Sequence, residues 1–242
     1  MSTIALHQHA DRGLTSPAAG KTARRWSLIA SFALAFPLIF YWFLLAILVV
    51  KYGHLPNYVT PHDWIGNVLR IVKSTGSAAD MVPIIIDEWL IEAGRINYDY
   101  GHGVVEWSFT IIPHKWGLVA LAGALLGLNV ALLLEQRIPA TLAGKCIQAS
   151  RFGLLTSLGS FCASVTNATV FSVVHCATPS WVGSLAVLGL DSYNLFAIEP
   201  FGPTISVLGL AALGISALLL LRDERSSDAR ARAAIPQEAV PC

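Results

Sequence analysis

Residues 26–50 read WSLIASFALAFPLIFYWFLLAILVV, an apolar stretch without a formal charge. About 20 apolar residues in an α-helix cross the hydrocarbon of a bilayer, because the helix satisfies its backbone hydrogen bonds internally. The sequence therefore predicts an all-α integral membrane protein. Three further stretches also lack any formal charge: Trp116–Leu134, Phe152–Leu190 and Pro203–Leu221.

The overall composition agrees with a bilayer environment. Hydrophobic residues make up 55% of the chain and charged residues 13%, and the mean hydropathy is +0.60. These values lie outside ordinary soluble usage. The net charge of +1 comes from scattered lysines and arginines, whereas a nucleic-acid-binding protein carries a basic stripe. We therefore expect the lipid bilayer, and no nucleic acid, as a partner.

Basic residues predict the orientation, because loops rich in Lys and Arg stay in the cytoplasm. They precede the first apolar stretch, follow the second and follow the last, which places both termini in the cytoplasm of a multi-pass protein of the cell inner membrane. The predicted divisions are a tail (1–25), a first transmembrane helix (26–50), an extracytoplasmic cap (51–115), a transmembrane helical bundle (116–221) and a second tail (222–242).

The third apolar stretch is long for one helix and short for two helices with a turn. We expect one membrane-crossing helix at Ala168–Leu190, with Phe152–Thr166 as a re-entrant or interfacial arm. Small polar residues predict the break between them: Ser164, Thr166, Asn167 and Thr169. This interpretation gives four transmembrane helices, and five remain the alternative.

The predicted cap contains two amphipathic helices and a possible β-hairpin. Thr60 and Pro61 are typical of a helix N-cap and first helical position, and a second helix is predicted to reach Leu90. Alternation of apolar and polar residues on both sides of Gly101-His102-Gly103, from Ile96 to Ile111, favours the hairpin. The apolar faces of these helices predict that the cap lies in the outer membrane interface.

A short series of motifs spans about residues 170–225. It begins with His175-Cys176-Ala177-Thr178-Pro179 and Leu185–Gly189, and continues with Ile198-Glu199-Pro200-Phe201-Gly202-Pro203, Gly209 and Leu221-Arg222. This order resembles the mercuric-ion transport membrane proteins of bacterial mercury-resistance systems. In that family a cysteine pair precedes a proline within a helix, and a Leu-Glu-Pro-Tyr-Arg-Pro-like loop leads into the next helix.

The resemblance implies that the chain handles or transports a metal ion. Here His175-Cys176 replaces the vicinal cysteines, and imidazole with thiolate suits copper or zinc as well as mercury. Cys162 and Asn129 are candidates for a further ligand, and Pro179 would weaken the helix beside the pair. The alternative is that His175 and Cys176 are structural.

Glu199, beside Pro200, has two interpretations. It is either an ion-gathering carboxylate at a pore mouth or a turn acid ahead of the last helix. Four histidines in the predicted cap could meet in space, but their spacings match no metal motif: His54, His62, His102 and His114.

Three function classes follow, of which the third, a membrane enzyme that uses paired histidines for haem or metal, is disfavoured because no spaced histidine pair shares one helix. The first is a small membrane protein that handles a copper, zinc or mercury ion. The alternative is a non-catalytic accessory subunit of a larger membrane complex, in which the aromatic-rich cap and the helices dock other membrane subunits or a second copy. The sequence contains no catalytic signature, so we expect no enzyme activity.

Overall fold

The computed structural model describes residues 17–99, 101–135, 142–172, 180–190 and 196–233. Within these ranges the chain forms seven α-helices and four β-strands. The helices are α1 (Pro17–Tyr52), α2 (Trp64–Ser74), α3 (Ala78–Ile86), α4 (Pro113–Glu135), α5 (Leu142–Val165), α6 (Trp181–Val187) and α7 (Gly202–Ala233). The strands are β1 (Tyr58–Pro61), β2 (Ile91–Asn97), β3 (Val104–Ile111) and β4 (Val170–Ser172), and a 3-10 turn (Phe196–Phe201) precedes α7.

Three of the described helices are long and apolar enough to cross a membrane. They correspond to Gly20–Tyr52 in α1, Pro113–Glu135 in α4 and Ala197–Ser226 around α7. The apolar part of α5 is shorter, at Gly153–Val165. These helices confirm the membrane class and the mainly helical fold predicted from the sequence.

Glycines allow α1 and α4 to pack closely in an antiparallel pair. A Cβ atom at Gly123 would lie 2.6 Å from the backbone oxygen of Phe32, and one at Gly127 would lie 2.8 Å from the Phe32 Cβ. Small residues four apart let membrane helices approach in this way, because van der Waals packing replaces the hydrophobic effect between helices.

Helices α5 and α7 are also antiparallel and meet at a pair of glycines. A Cβ atom at Gly159 would lie 2.8 Å from the Gly209 oxygen, and a Cβ atom at Gly209 would lie 2.7 Å from the Gly159 oxygen. Further along, Leu132 of α4 packs with Ala217 and Leu220 of α7. The four long helices therefore form one bundle.

The sheet lies at one end of this bundle and is antiparallel throughout, in the order β1-β2-β3-β4. The predicted hairpin is present as β2 and β3, with Ile91 opposite Ile111 and Asn97 opposite Val104. Its first strand begins at Ile91, earlier than the alternation from Ile96 suggested. The fourth strand comes from the third apolar stretch of the sequence, since Val170 pairs with Phe109.

One core joins the sheet to the end of α1. Trp107 of β3 and Leu48 of α1 are fully buried in the same cluster, and the Trp107 ring stacks on Tyr52 with 6.4 Å between centroids. Tyr41 stacks in the same way on Phe109. A large buried aromatic ring contributes much of the apolar area of a core, so the sheet is fixed to the helix.

The predicted helix at Ala168–Leu190 is wrong, because Val170–Ser172 form β4, whereas the predicted arm at Phe152–Thr166 corresponds to the apolar part of α5, Gly153–Val165, and whether it re-enters or crosses the membrane stays a prediction. Residues up to Val165 belong to the long helix α5, and the next described helix is the short α6. The predicted break is correct, since Asn167 bonds back to the Ser164 oxygen (N···O 3.1 Å) and the helix stops. The chain then extends because β3 offers an unpaired edge, where the Thr110 amide donates to the Thr169 oxygen (3.0 Å).

The starts and ends of the two cap helices also differ from prediction. Thr60 lies in β1 opposite Glu92, so its backbone belongs to the sheet, and the N-cap of α2 is Asp63, which accepts from the Gly66 amide (3.0 Å). Helix α3 ends at Ile86, because Leu90 already donates its amide to the β3 oxygen of Ile111 (2.9 Å).

Candidate functional site

Cys162 and Asn129, two of the proposed metal ligands, lie in the bundle. Cys162 is a half-buried free thiol on α5, and its Cβ would lie 3.2 Å from a Cβ added at Gly209. Asn129 on α4 is fully buried and donates from Nδ2 to the Leu125 oxygen (2.8 Å) and the Leu213 oxygen (3.1 Å). Its Oδ1 has no hydrogen-bond partner among the described residues.

The central pair of the metal hypothesis lies outside the described residues, as His175, Cys176 and Pro179 all fall within 173–179. Within the described ranges, no three His, Cys, Asp or Glu side chains come close enough to share a metal ion. The metal site therefore stays a prediction.

The histidines of the cap are used separately. His62 packs edge-on against Trp89 with 5.8 Å between ring centroids, and the His114 ring bonds the Ile86 carbonyl through Nδ1. In the described part of the chain, the four cap histidines do not come together in a group of three or more metal-ligating side chains.

Glu199 lies in the 3-10 turn before α7, and Pro200 follows it at an exposed position. The carboxylate accepts a hydrogen bond from the Ser180 hydroxyl (2.5 Å), and the Glu199 carbonyl accepts from Trp181 Nε1 (3.0 Å). Ser180 is the N-cap of α6, and its hydroxyl also accepts from the Val182 amide. These contacts favour the turn interpretation, because the carboxylate helps to hold the turn on α6.

Hydroxyl and amide groups link α5 to α7 inside the bundle. Asn167 Nδ2 donates to the Ser206 hydroxyl (2.8 Å), and the hydroxyls of Thr156 and Ser216 lie 3.2 Å apart. Hydrogen bonds of this kind between membrane helices are typically worth about 1 kcal/mol. They stabilise helix association, and sequence reasoning missed all of them except the polar character of Asn167.

An ion cluster joins three helices at the end of the bundle opposite the sheet. Arg25 of α1 binds Glu135 at the end of α4, and its Nη2 also lies 3.0 Å from Glu224 Oε1 of α7. All three residues flank apolar stretches of the sequence. That position, together with their opposite charges, could have predicted the ion pairs. The cluster places the start of α1 and the ends of α4 and α7 at one level.

Helices α2 and α3, here called the α2–α3 arm (residues 64–86), sit beside the first turn of α4. Lys115 Nζ lies 4.0 Å from Asp87 Oδ1, just after α3 ends. The polar side of α2 faces the residues that follow α3, since Asn67 Nδ2 donates to Glu88 Oε1 (2.6 Å). The opposite side is apolar and exposed, with Ile65 at 68% and Leu69 at 53% of full exposure.

Tyr58, the first residue of β1, has a raised pKa. Burial, together with a hydrogen bond to Glu92, raises the pKa of Tyr58 to about 12. The Tyr58 hydroxyl therefore remains a neutral donor, and it ties β1 to β2 rather than offering a base.

Taken together, the helices define a helical membrane protein that carries a sheet at one end. No family model, curated protein or solved structure matches the chain.

Proposed function

We propose that the chain is a non-catalytic subunit of a larger complex in the cell inner membrane. In this proposal α1, α4, α5 and α7 cross the bilayer, so the chain has four transmembrane segments. Both termini lie in the cytoplasm and the sheet lies outside. The ion cluster of Arg25 supports termini on a common side, and the basic residues around 21–25 and 137–151 support the cytoplasm as that side.

The observation that carries the proposal is the core shared by α1 and the sheet. Because Trp107 and Leu48 are buried together, the sheet is packed directly on the end of α1. A sheet packed on a membrane helix forms a platform at the membrane surface, which suits the task of holding a partner in place.

The edge strand β1 supplies a docking surface on this platform. Val59 of β1 is 64% exposed and Leu55, just before the strand, is 71% exposed. Val59 lies opposite Ala93, which is buried. The two side chains share one face of the sheet, so Val59 extends the buried apolar face to the exposed edge. Exposed apolar residues on a sheet edge mark contact sites for other chains.

Mild solubilisation of native membranes tests this function. We expect a stoichiometric membrane partner to co-purify with the tagged chain, and Val59→Lys to remove that partner without changing the amount of the chain itself. Thr60→Lys is the matched control, because Thr60 is exposed on the same strand and points to the opposite face. A chain that purifies after mild solubilisation without any other protein would contradict the subunit proposal.

Metal handling is the second candidate. It is favoured by the unpaired, fully buried Oδ1 of Asn129, since buried polar atoms are normally partnered. Purified protein should then bind a copper, zinc or mercury ion, and His175→Ala and Cys176→Ser should each abolish that binding. Cys242→Ser, in the predicted C-terminal tail, is the control that removes one thiol and keeps binding. Absence of binding by the unmodified protein would leave the pair as structural.

A further inference from the structure

The side of the bundle contains a groove between α1 and α5. It encloses about 490 Å³, and α6 closes it at the end towards the sheet. Its lining includes Phe36, Phe43, Ile47, Phe161, Ser164 and Leu188. Its rim is open to the surroundings of the bundle, since Phe43 is 63% exposed and Phe161 is 54% exposed. Because α1 crosses the membrane, the rim opens into lipid.

Three serines line the groove, but none has a free hydrogen-bond donor to offer a ligand. Each hydroxyl donates to a carbonyl of its own helix: Ser160 to Ser157 (3.0 Å), Ser164 to Ser160 (2.7 Å) and Ser184 to Trp181 (2.6 Å). The other eight lining residues are apolar, so the groove suits a ligand that is mainly apolar along its length.

A positive charge stands at the sheet-side end of the groove. Lys51 follows the lining residue Ile47 by one helical turn, and its Nζ donates to the Ala186 oxygen (2.5 Å). Ala186 itself lies between Ser184 and Leu188, which both line the groove. An ammonium group has three donors, and Lys51 is exposed. A ligand with an apolar tail and an anionic head would meet both features.

We propose that this groove binds one acyl chain of an anionic phospholipid, whose phosphate contacts Lys51. The volume lies within the range of about 300–1,000 Å³ of sites that enclose small molecules. One turn of a partner's transmembrane helix, about 10–12 Å across and 5.4 Å long, already occupies about 420–610 Å³, so a volume of about 490 Å³ cannot take up a length of helix. The groove thereby takes up a lipid from the leaflet next to the sheet.

Native mass spectrometry of the full chain, titrated with phosphatidylglycerol in mild detergent, tests the proposal. We expect one lipid to bind per chain with saturation. Lys51→Gln should weaken that binding about tenfold, or by about 1.4 kcal/mol, because the phosphate loses a charge-assisted hydrogen bond. Phe161→Ala should weaken it as well, because it removes one wall of the groove. Diacylglycerol has the same acyl chains without the phosphate, so its binding should be weaker and insensitive to Lys51→Gln.

Two control variants separate a site from general lipid adhesion. Lys73→Gln removes an exposed charge from α2, and Leu158→Ala removes an exposed apolar side chain from α5 outside the groove. Both should bind phosphatidylglycerol as the unmodified protein does, and all variants should elute as single species. Equal binding by all four variants would overturn the proposal. So would absence of a saturable lipid, or a disulfide cross-link from Phe161→Cys to a second protein chain.

Discussion

Arg25, near the start of α1, forms an ion pair with Glu224, near the end of α7, with 3.0 Å between Nη2 and Oε1. The two residues are 199 positions apart in the sequence, yet they lie at one end of the bundle. Glu135 binds the same guanidinium group. The start of α1 and the ends of α4 and α7 therefore lie at the same end of the bundle.

This relationship predicts the result of topology reporters. Alkaline phosphatase, which is active only outside the cytoplasm, should be inactive when fused after Arg225 and active when inserted at Gly101 in the β2–β3 turn. Strong activity after Arg225 would instead require an odd number of transmembrane segments and would favour five.

The ion cluster should contribute measurably to stability. Arg25→Ala leaves the carboxylates of Glu135 and Glu224 close together without their cation. A partly exposed pair is worth about 1 kcal/mol at most, which for a chain of this size corresponds to a fall of about 2–4 °C in Tm. Thermal unfolding in detergent measures it. Arg24→Ala removes an exposed neighbouring charge and should leave Tm unchanged; equal effects of both variants would mean that the cluster does not stabilise the bundle.

The crossing of α5 and α7 should tolerate no larger residue. Gly209→Ala would place a methyl group 2.7 Å from the Gly159 oxygen, so the helices must separate, at a cost of about 1–3 kcal/mol. Gly214 lies on the same helix with no atom within 4 Å of an added Cβ. Gly214→Ala should therefore keep or raise stability, because alanine is the better helix former by about 1 kcal/mol. Unfolding in graded denaturant compares the two variants, and a neutral Gly209→Ala would contradict the close crossing.

The exposed face of α2 should be immersed in the membrane interface. A cysteine introduced at Leu69 in a background without native cysteines should react slowly with an impermeant maleimide in vesicles, and rapidly after the addition of detergent. A cysteine at Arg70, an exposed residue that lies outside the apolar face of the same helix, should react rapidly in both conditions. Rapid labelling of both positions in vesicles would show that the α2–α3 arm stands in water.

The transmembrane helices could be predicted from the sequence because the bilayer imposes a length and a composition on each of them. The stretch at 116–134 lies inside α4, which extends it by only a few residues at its start. The hairpin was also readable, since Gly101 and Gly103 adopt positive φ angles that other residues rarely accept. These features depend on local chemistry alone.

The course of the chain after Val165 could not be predicted in the same way. Thr169 and Val170 are β-branched and suit a strand, but they also suit a membrane helix when read alone. Their conformation is decided by the free edge of β3 at Phe109, which is far away in the sequence. The groove beside α5 follows from the same packing, whereas the His175-Cys176 site remains a prediction.

Strand β4 has a consequence for the order of biogenesis. Strands β1 to β3 leave the ribosome before α4, whereas Val170 emerges only after α4 and α5 have been synthesised. Until then β3 keeps an open edge, where backbone groups of another chain can pair. Completion of the sheet therefore waits until α5 has been synthesised, and until then the nascent chain exposes a strand edge that can pair with another chain.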